Sequence, residues 1–258
     1  MYIKKTWIYG NRIEVKKYHT SRYGVKGEKR SKREKPSDES LKRANERKAK
    51  KKLERLMINN FEQGDWHLTL TYKSEMRPDI EKSKYILKKF FEKLRKEYRK
   101  YGIELKYIMA TEWENKNIHH HIVINDIDNI SKVLSRLWIY GGIHLTPLYP
   151  DRDYSGLAEY FIKETNETFR NSDNPYKQRY TCSRNLKKPI EEVEIIKAST
   201  WVKEPKINNK LLEQGYQLDK QSIYTGVDAM GYGFCEYTFI RYTLTERAKN
   251  ESKRLKYK

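Results

Sequence analysis

Hydrophobic and polar positions first fall into a clear period at Trp66. Trp66, Leu68, Leu70 and Tyr72 alternate with His67, Thr69 and Thr71, the two-residue repeat of a half-buried strand, and Gly64-Asp65 marks the break before it. From Asp79 to Tyr101 the spacing changes. Ile86, Leu87, Phe90, Phe91, Leu94, Tyr98 and Tyr101 recur at helical intervals with Lys and Arg between them, and Gly102 ends the run, which predicts an amphipathic helix packed on a sheet. Leu105 to Trp113 and Asn117 to Asn125 read as two strands, joined into a hairpin by the turn-like Glu114-Asn115-Lys116. A helix from about Ile130 to Tyr140, the pair Gly141-Gly142, a short strand from Ile143 to Thr146, the loop TPLYPDRD and a helix from Tyr154 to about Thr165 complete the patterned region. This order predicts an α+β fold, an antiparallel sheet with helices on one face and the other face open for chemistry.

The flanks are less regular. Lys26 to Arg55 is dominated by Lys, Arg and Glu and has almost nothing to bury, although Ser37 or Ser40 can cap a helix running through Leu41, Ala44, Ala49, Leu53 and Leu56. Residues 1–62 are therefore expected to be a basic arm, partly disordered or helical, ahead of an ordered domain at 63–170. Residues 171–258 form an extension in which EEVEIIKAS and YGFCEYTFIRYTL can each add a strand.

Composition narrows the partners. The 258 residues carry 55 Lys and Arg against 35 Asp and Glu, a formal charge of +20. Such a balance points to a polyanion, either nucleic acid or an anionic membrane face. No segment approaches the about 20 apolar residues of a membrane span, and MYIKKTWIYG lacks the apolar run of a secretory signal, so a soluble cytoplasmic protein is expected. Cys182 and Cys235 are too few and too far apart for a disulfide framework or a CxxC zinc site.

The chemistry concentrates in NIHHHIVIN. Alternation along a strand puts His119 and His121 on one face, and His120 on the other with Ile118, Ile122 and Ile124. If the apolar set covers the helices, His119 and His121 stand side by side on the open face, where two imidazoles can grip one divalent ion; a solvated sheet face is the plainer alternative. A carboxylate ligand would favour a hard cation such as Mg2+ or Mn2+, and Glu112 on the preceding strand would lie close to His119, with Glu114 as a second candidate nearer the turn. In the last helix, Tyr154, Leu157, Ala158, Phe161 and Ile162 cluster on one side at about 100° per residue, leaving Tyr160 and Lys163 together on another. An ammonium one turn from a phenol favours the phenolate and can contact phosphate, which suits a phosphoryl-transfer nucleophile.

Taken in order, WHLTLTY, Glu112 with His119-His120-His121 and the tail IVI, and EYFIK resemble the three motifs of rolling-circle replication initiators, the Rep branch of HUH endonucleases encoded by phages and small plasmids. The resemblance implies a ferredoxin-like catalytic domain, a divalent metal held by His119 and His121 with Glu112 at the acidic position, and Tyr160 as nucleophile assisted by Lys163. It implies nicking of single-stranded origin DNA to give a 5′-phosphotyrosine and a free 3′-hydroxyl, then rejoining. This sequence differs in carrying His at the middle position of the pair and a single suitable tyrosine on that helix. No Gly-x-x-x-x-Gly-Lys-Ser/Thr loop is found, so a host helicase and polymerase are expected partners. Lys48, Lys50, Lys51, Lys52 and Arg55 in the basic arm are the expected phosphate contacts. A single-strand transposase of the same superfamily and a non-enzymatic nucleic-acid-binding protein are the competing readings.

Overall fold

The computed structural model describes residues 1–20, 37–113, 118–148, 153–165, 178–197, 205, 207–228 and 231–242. In chain order the elements are β1 (Tyr2–Tyr9), β2 (Arg12–His19), α1 (Asp38–Asn60), β3 (Trp66–Leu70), a 3-10 turn (Ser74–Met76), α2 (Ile80–Lys100), β4 (Tyr107–Glu112), β5 (His119–Ile124), α3 (Ile130–Leu137), β6 (Ile143–Pro147), α4 (Ser155–Glu164), β7 (Thr181–Cys182), β8 (Ile190–Ile196), α5 (Asn209–Glu213), β9 (Tyr216–Val227) and β10 (Gly233–Arg241). They form two compact units, residues 38–187 and residues 1–37 with 188–258.

The unit at 38–187 is built on an antiparallel sheet of order β6-β3-β5-β4-β7. The α+β class and ferredoxin-like character expected from the pattern are present. Leu68 and Leu70 of β3, Met109 of β4, and Ile122 and Ile124 of β5 meet Leu87, Phe90, Phe91, Leu94 and Tyr98 of α2 and Val133, Leu134 and Trp138 around α3 in one core. Helix α2 starts where Asp79 Oδ1 accepts the Lys82 N–H at 2.7 Å, and stops before Gly102, whose φ of 68° lies in the left-handed region. Gly141 is fixed by a different demand. A Cβ there would lie 2.2 Å from the Thr71 carbonyl oxygen, and this close approach lets the Thr71 N–H donate to Gly142 O and continue the β3–β6 pairing.

The second face of this sheet is not open along its length, contrary to the expectation from the pattern. Ile108, Ala110 and Val123 point to it and are buried, as are Tyr154, Ala158, Phe161 and Ile162 of α4 and Leu53, Met57, Ile58 and Phe61 from α1 and its end. The Phe161 ring reaches His67 and His121 of the sheet, and the Tyr154 hydroxyl donates to Phe61 O at 3.4 Å. The physical reason is that β4 and β5 are apolar on both sides near their middles, and α4 has an apolar stripe that must be covered. The N-terminal half of α1 stays exposed, with Leu41 at 43%, while its C-terminal half is core. The helix expected in the arm is therefore part of this unit. Its Lys50 pairs with Glu159 of α4.

Asp65 ties three segment ends together. Its carboxylate accepts the Glu62 N–H at 2.9 Å and the Asp126 N–H at 2.8 Å, and its carbonyl accepts the Leu148 N–H at 2.9 Å; burial pushes the carboxyl pKa up despite the two donors. Asp65→Ala would strand two backbone donors, and thermal or urea unfolding should show a loss of about 1–3 kcal/mol. A loss within about 0.5 kcal/mol, the range of ordinary surface changes, would show that these contacts carry no net stability.

The other unit is a sheet of order β8-β1-β2-β10-β9, all antiparallel. Here the expected arm is corrected: residues 2–19 are two strands joined through Gly10-Asn11, and Ile13 and Val15 share a core with Tyr216, Cys235, Tyr237 and Phe239. The two strands expected beyond residue 170 are present as β8 and β10, but they pair with β1 and β2. Of that region only β7 joins the first sheet. The break points are thus near 37 and 187, in place of 62 and 170. Among the described residues, no helix is long and apolar enough to cross a membrane.

Candidate metal and tyrosine site

β5 lies at the centre of its sheet, so its side chains are fixed from both neighbours. Glu112 of β4 stands directly opposite His119, Ala110 opposite His121, and Thr69 of β3 opposite His121 from the other side. Glu112, His119 and His121 offer ligand atoms that lie within 4.8 Å of one another. Glu112 Oε2 is 3.4 Å from His121 Nε2 and 3.7 Å from His119 Nδ1. Glu114, the other acidic candidate, lies outside the described residues.

The two histidines differ in environment. The His119 side chain is 38% exposed and that of His121 only 5%. Burial lowers the His121 pKa, and the nearby Glu112 carboxylate opposes this only in part. The ring is therefore neutral near pH 7 and keeps a lone pair, the state in which imidazole ligates a cation. Its Nδ1 lies 3.3 Å from Thr69 Oγ1. With the proton assigned to Nδ1, that N–H donates to the threonine and Nε2 is the acceptor directed at Glu112 and the solvent side. Pinning the far nitrogen of a ligating histidine is how a metal site fixes its ring. The alternation at Thr69 is legible in the sequence, but its contact with His121 depends on the β3–β5 register.

His120 takes the place expected for it, fully buried on the core face. Its Nε2 lies 3.0 Å from the Tyr72 hydroxyl and its Nδ1 3.0 Å from Thr111 Oγ1. Burial, reinforced by the neighbouring histidines, pushes its pKa down to about 3, so it is a neutral structural residue.

Tyr160 is brought to the same place from α4. Its hydroxyl lies 3.2 Å from His121 Nε2, and the two rings meet edge to face with centroids 4.9 Å apart. The side of α4 that buries Phe161 and Ile162 thus turns Tyr160, 36% exposed, toward the histidines. Lys163 is exposed one turn further along the helix. The Glu112 carboxylate, the His121 imidazole and the Tyr160 phenol converge from three separate elements. Residues 65–168 match the Replication-associated protein ORF2 family.

This is consistent with a rolling-circle replication initiator, and the replication-associated segment contains every member of the cluster. It begins at β3 and ends just past α4, so α1, β7 and the second sheet lie outside it. No curated protein and no solved structure matches the chain significantly. The expected phosphate contacts on α1 are placed unequally: Lys48 and Lys52 are exposed, Lys51 and Arg55 are partly buried, and Lys50 is taken up by Glu159. Trp66 donates to Asp126 at 2.7 Å, and Trp66, Tyr107 and Trp113 all pack against the α2 core.

Proposed function

We propose that this chain nicks and rejoins single-stranded DNA at a replication origin, with Tyr160 as nucleophile. The observation that carries the reading is the 3.2 Å approach of the Tyr160 hydroxyl to His121 Nε2, beside the Glu112 carboxylate. A merely structural tyrosine on α4 has no need of that neighbour. Glu112, His119 and His121 fit a divalent cation: two imidazoles, one carboxylate, a neutral ring at His121 and a pinned far nitrogen. Mg2+ or Mn2+ bound there would polarise a phosphate and offset charge that develops on it.

In the nicking step Tyr160 Oη forms a bond to phosphorus and gives up its proton, while the bond from phosphorus to the 3′-oxygen breaks. That oxygen takes a proton and leaves as a 3′-hydroxyl able to prime a polymerase, and the 5′-phosphate stays on the tyrosine. Lys163 supplies a positive charge beside the phenolate and the phosphate. The phosphotyrosine ester keeps the energy of the broken bond, so attack by a 3′-hydroxyl can close a strand without ATP. Seating the tyrosine on a helix packed through Tyr154, Ala158, Phe161 and Ile162 holds it near in-line geometry before substrate arrives.

The test uses the full chain with a labelled pool of randomised single-stranded DNA, with Mn2+ or with chelator. A protein–DNA adduct that survives denaturation should form with Mn2+ and be absent with chelator. No adduct from any sequence in the pool, with binding intact, would favour a non-enzymatic nucleic-acid-binding protein and overturn the reading.

A further inference from the structure

On the core side of β4, away from Glu112, a groove runs between α2 and the segment that follows β7. Its deeper part, about 530 Å3, lies between Arg99 and Arg184, and it continues past Arg95 into a second hollow of about 280 Å3 lined by Lys84 and Lys88. Lys84, Lys88, Arg95 and Arg99 form one stripe of α2 and extend over about 22 Å at 1.5 Å per residue. The lining carboxylates do not cancel this row. Glu92 is held by Lys89 at 3.0 Å, and Glu104 accepts from Asn185 at 3.2 Å.

The groove is held in shape independently of any ligand. Phe91 and Tyr107 stack at 4.2 Å and 24°, the Arg95 guanidinium lies 5.9 and 5.7 Å from their centroids, and its Nη2 donates to the Tyr107 hydroxyl at 3.3 Å. The opposite wall is fastened to β4. The Ser183 N–H donates to Tyr107 O at 3.0 Å, the Tyr107 N–H donates to Ser183 Oγ at 3.1 Å, and Asn185 donates to Leu105 O at 3.2 Å. Arg184 is left exposed between two anchored residues. This wall lies outside the replication-associated segment, so it is an addition of this chain.

We propose that this groove binds the sugar–phosphate backbone of a nucleic-acid single strand at a second site, apart from the tyrosine. A linear row of cations over an aromatic floor suits a flexible polyanion better than a compact anion, which would use one pair of charges. Arg95, already ordered on its two rings, would lose little freedom on meeting a phosphate. The proposal deepens the reading of single-stranded DNA as substrate.

Its test is made with chelator present, so that cleavage does not enter and a failed nicking assay leaves it decidable. Binding of labelled oligothymidylate by the full chain is measured over a range of salt for wild type, for Arg99→Glu with Arg184→Glu, and for Lys210→Glu with Lys220→Glu, an equal charge change on exposed residues of the other unit. Thermal melts establish that each variant is folded. The groove pair should weaken binding about tenfold or more and lower the salt slope by about 1.4, two contacts at about 0.7 each for a single strand. The control pair should shift affinity less than about twofold. Equal losses in both pairs, or an unchanged slope in the groove pair, would overturn the proposal, and a loss seen only with oligouridylate would assign the groove to RNA.

Discussion

Tyr160→Phe should abolish the covalent protein–DNA adduct, a fall of about 10³-fold or more, while leaving the protein folded and able to bind single-stranded DNA. The substitution removes one oxygen from a side chain that is 36% exposed, and keeps the ring that meets His121 edge to face. Packing of α4 rests on Tyr154, Ala158, Phe161 and Ile162, none of which is touched. Adduct formation is read on a denaturing gel with Mn2+ present, and DNA affinity is read with chelator. A Tyr160→Phe protein that still captures labelled DNA would move the nucleophile elsewhere on the chain.

The second large effect concerns the cation. His121→Ala should remove both Mn2+ binding and nicking, because it deletes the one ring placed against Glu112, Tyr160 and Thr69 together. Affinity for single-stranded DNA in chelator should change by less than about twofold, since phosphate contacts are made by other residues. Thr69→Val makes a finer version of the same test. It keeps the size of the side chain and removes the oxygen beside Nδ1, so the ring loses its outer partner but not its lone pair. Mn2+ affinity by calorimetry should fall about 10–100-fold, with the unfolding temperature little changed. Unaltered Mn2+ binding in both variants would place the cation somewhere other than Glu112, His119 and His121.

The part of the chain from Trp66 to Lys163 was legible because its signals are local. Alternation in WHLTLTY and NIHHHIVIN fixed which histidines share a face, and the α2 stripe ran as expected from Ile86 to Tyr98. Contacts set by register were not legible, such as Thr69 on His121, nor were those set by helix placement, such as Tyr160 on the same ring. The covered second face had left a trace in Ile108, Ala110 and Val123, apolar residues on the side expected to be open. Met57, Ile58 and Phe61, four to eight residues past Leu53, gave α1 a core-facing stripe that the surrounding Lys and Arg obscured. The hairpin β1–β2 also carried a signal, two β-rich runs flanking Gly10-Asn11, but its partners β8 and β10 lie some 170 or more residues on, beyond the reach of local pattern. Removing residues 1–62 as an arm would therefore cut strands from one unit and a core helix from the other.

His120 also bears on how β5 finds its partners. Both of its ring nitrogens are engaged, one by a residue just beyond β3 and one by Thr111 of β4, and these contacts require a single alignment of the three strands. A shift of β5 by one residue would turn His119 and His121 into the apolar layer and send Ile118, Ile122 and Ile124 to the opposite side. It would also strand both buried nitrogens of His120. The middle histidine, which takes no part in ligation, thus acts as the register key that makes misalignment of the ligand-bearing strand costly.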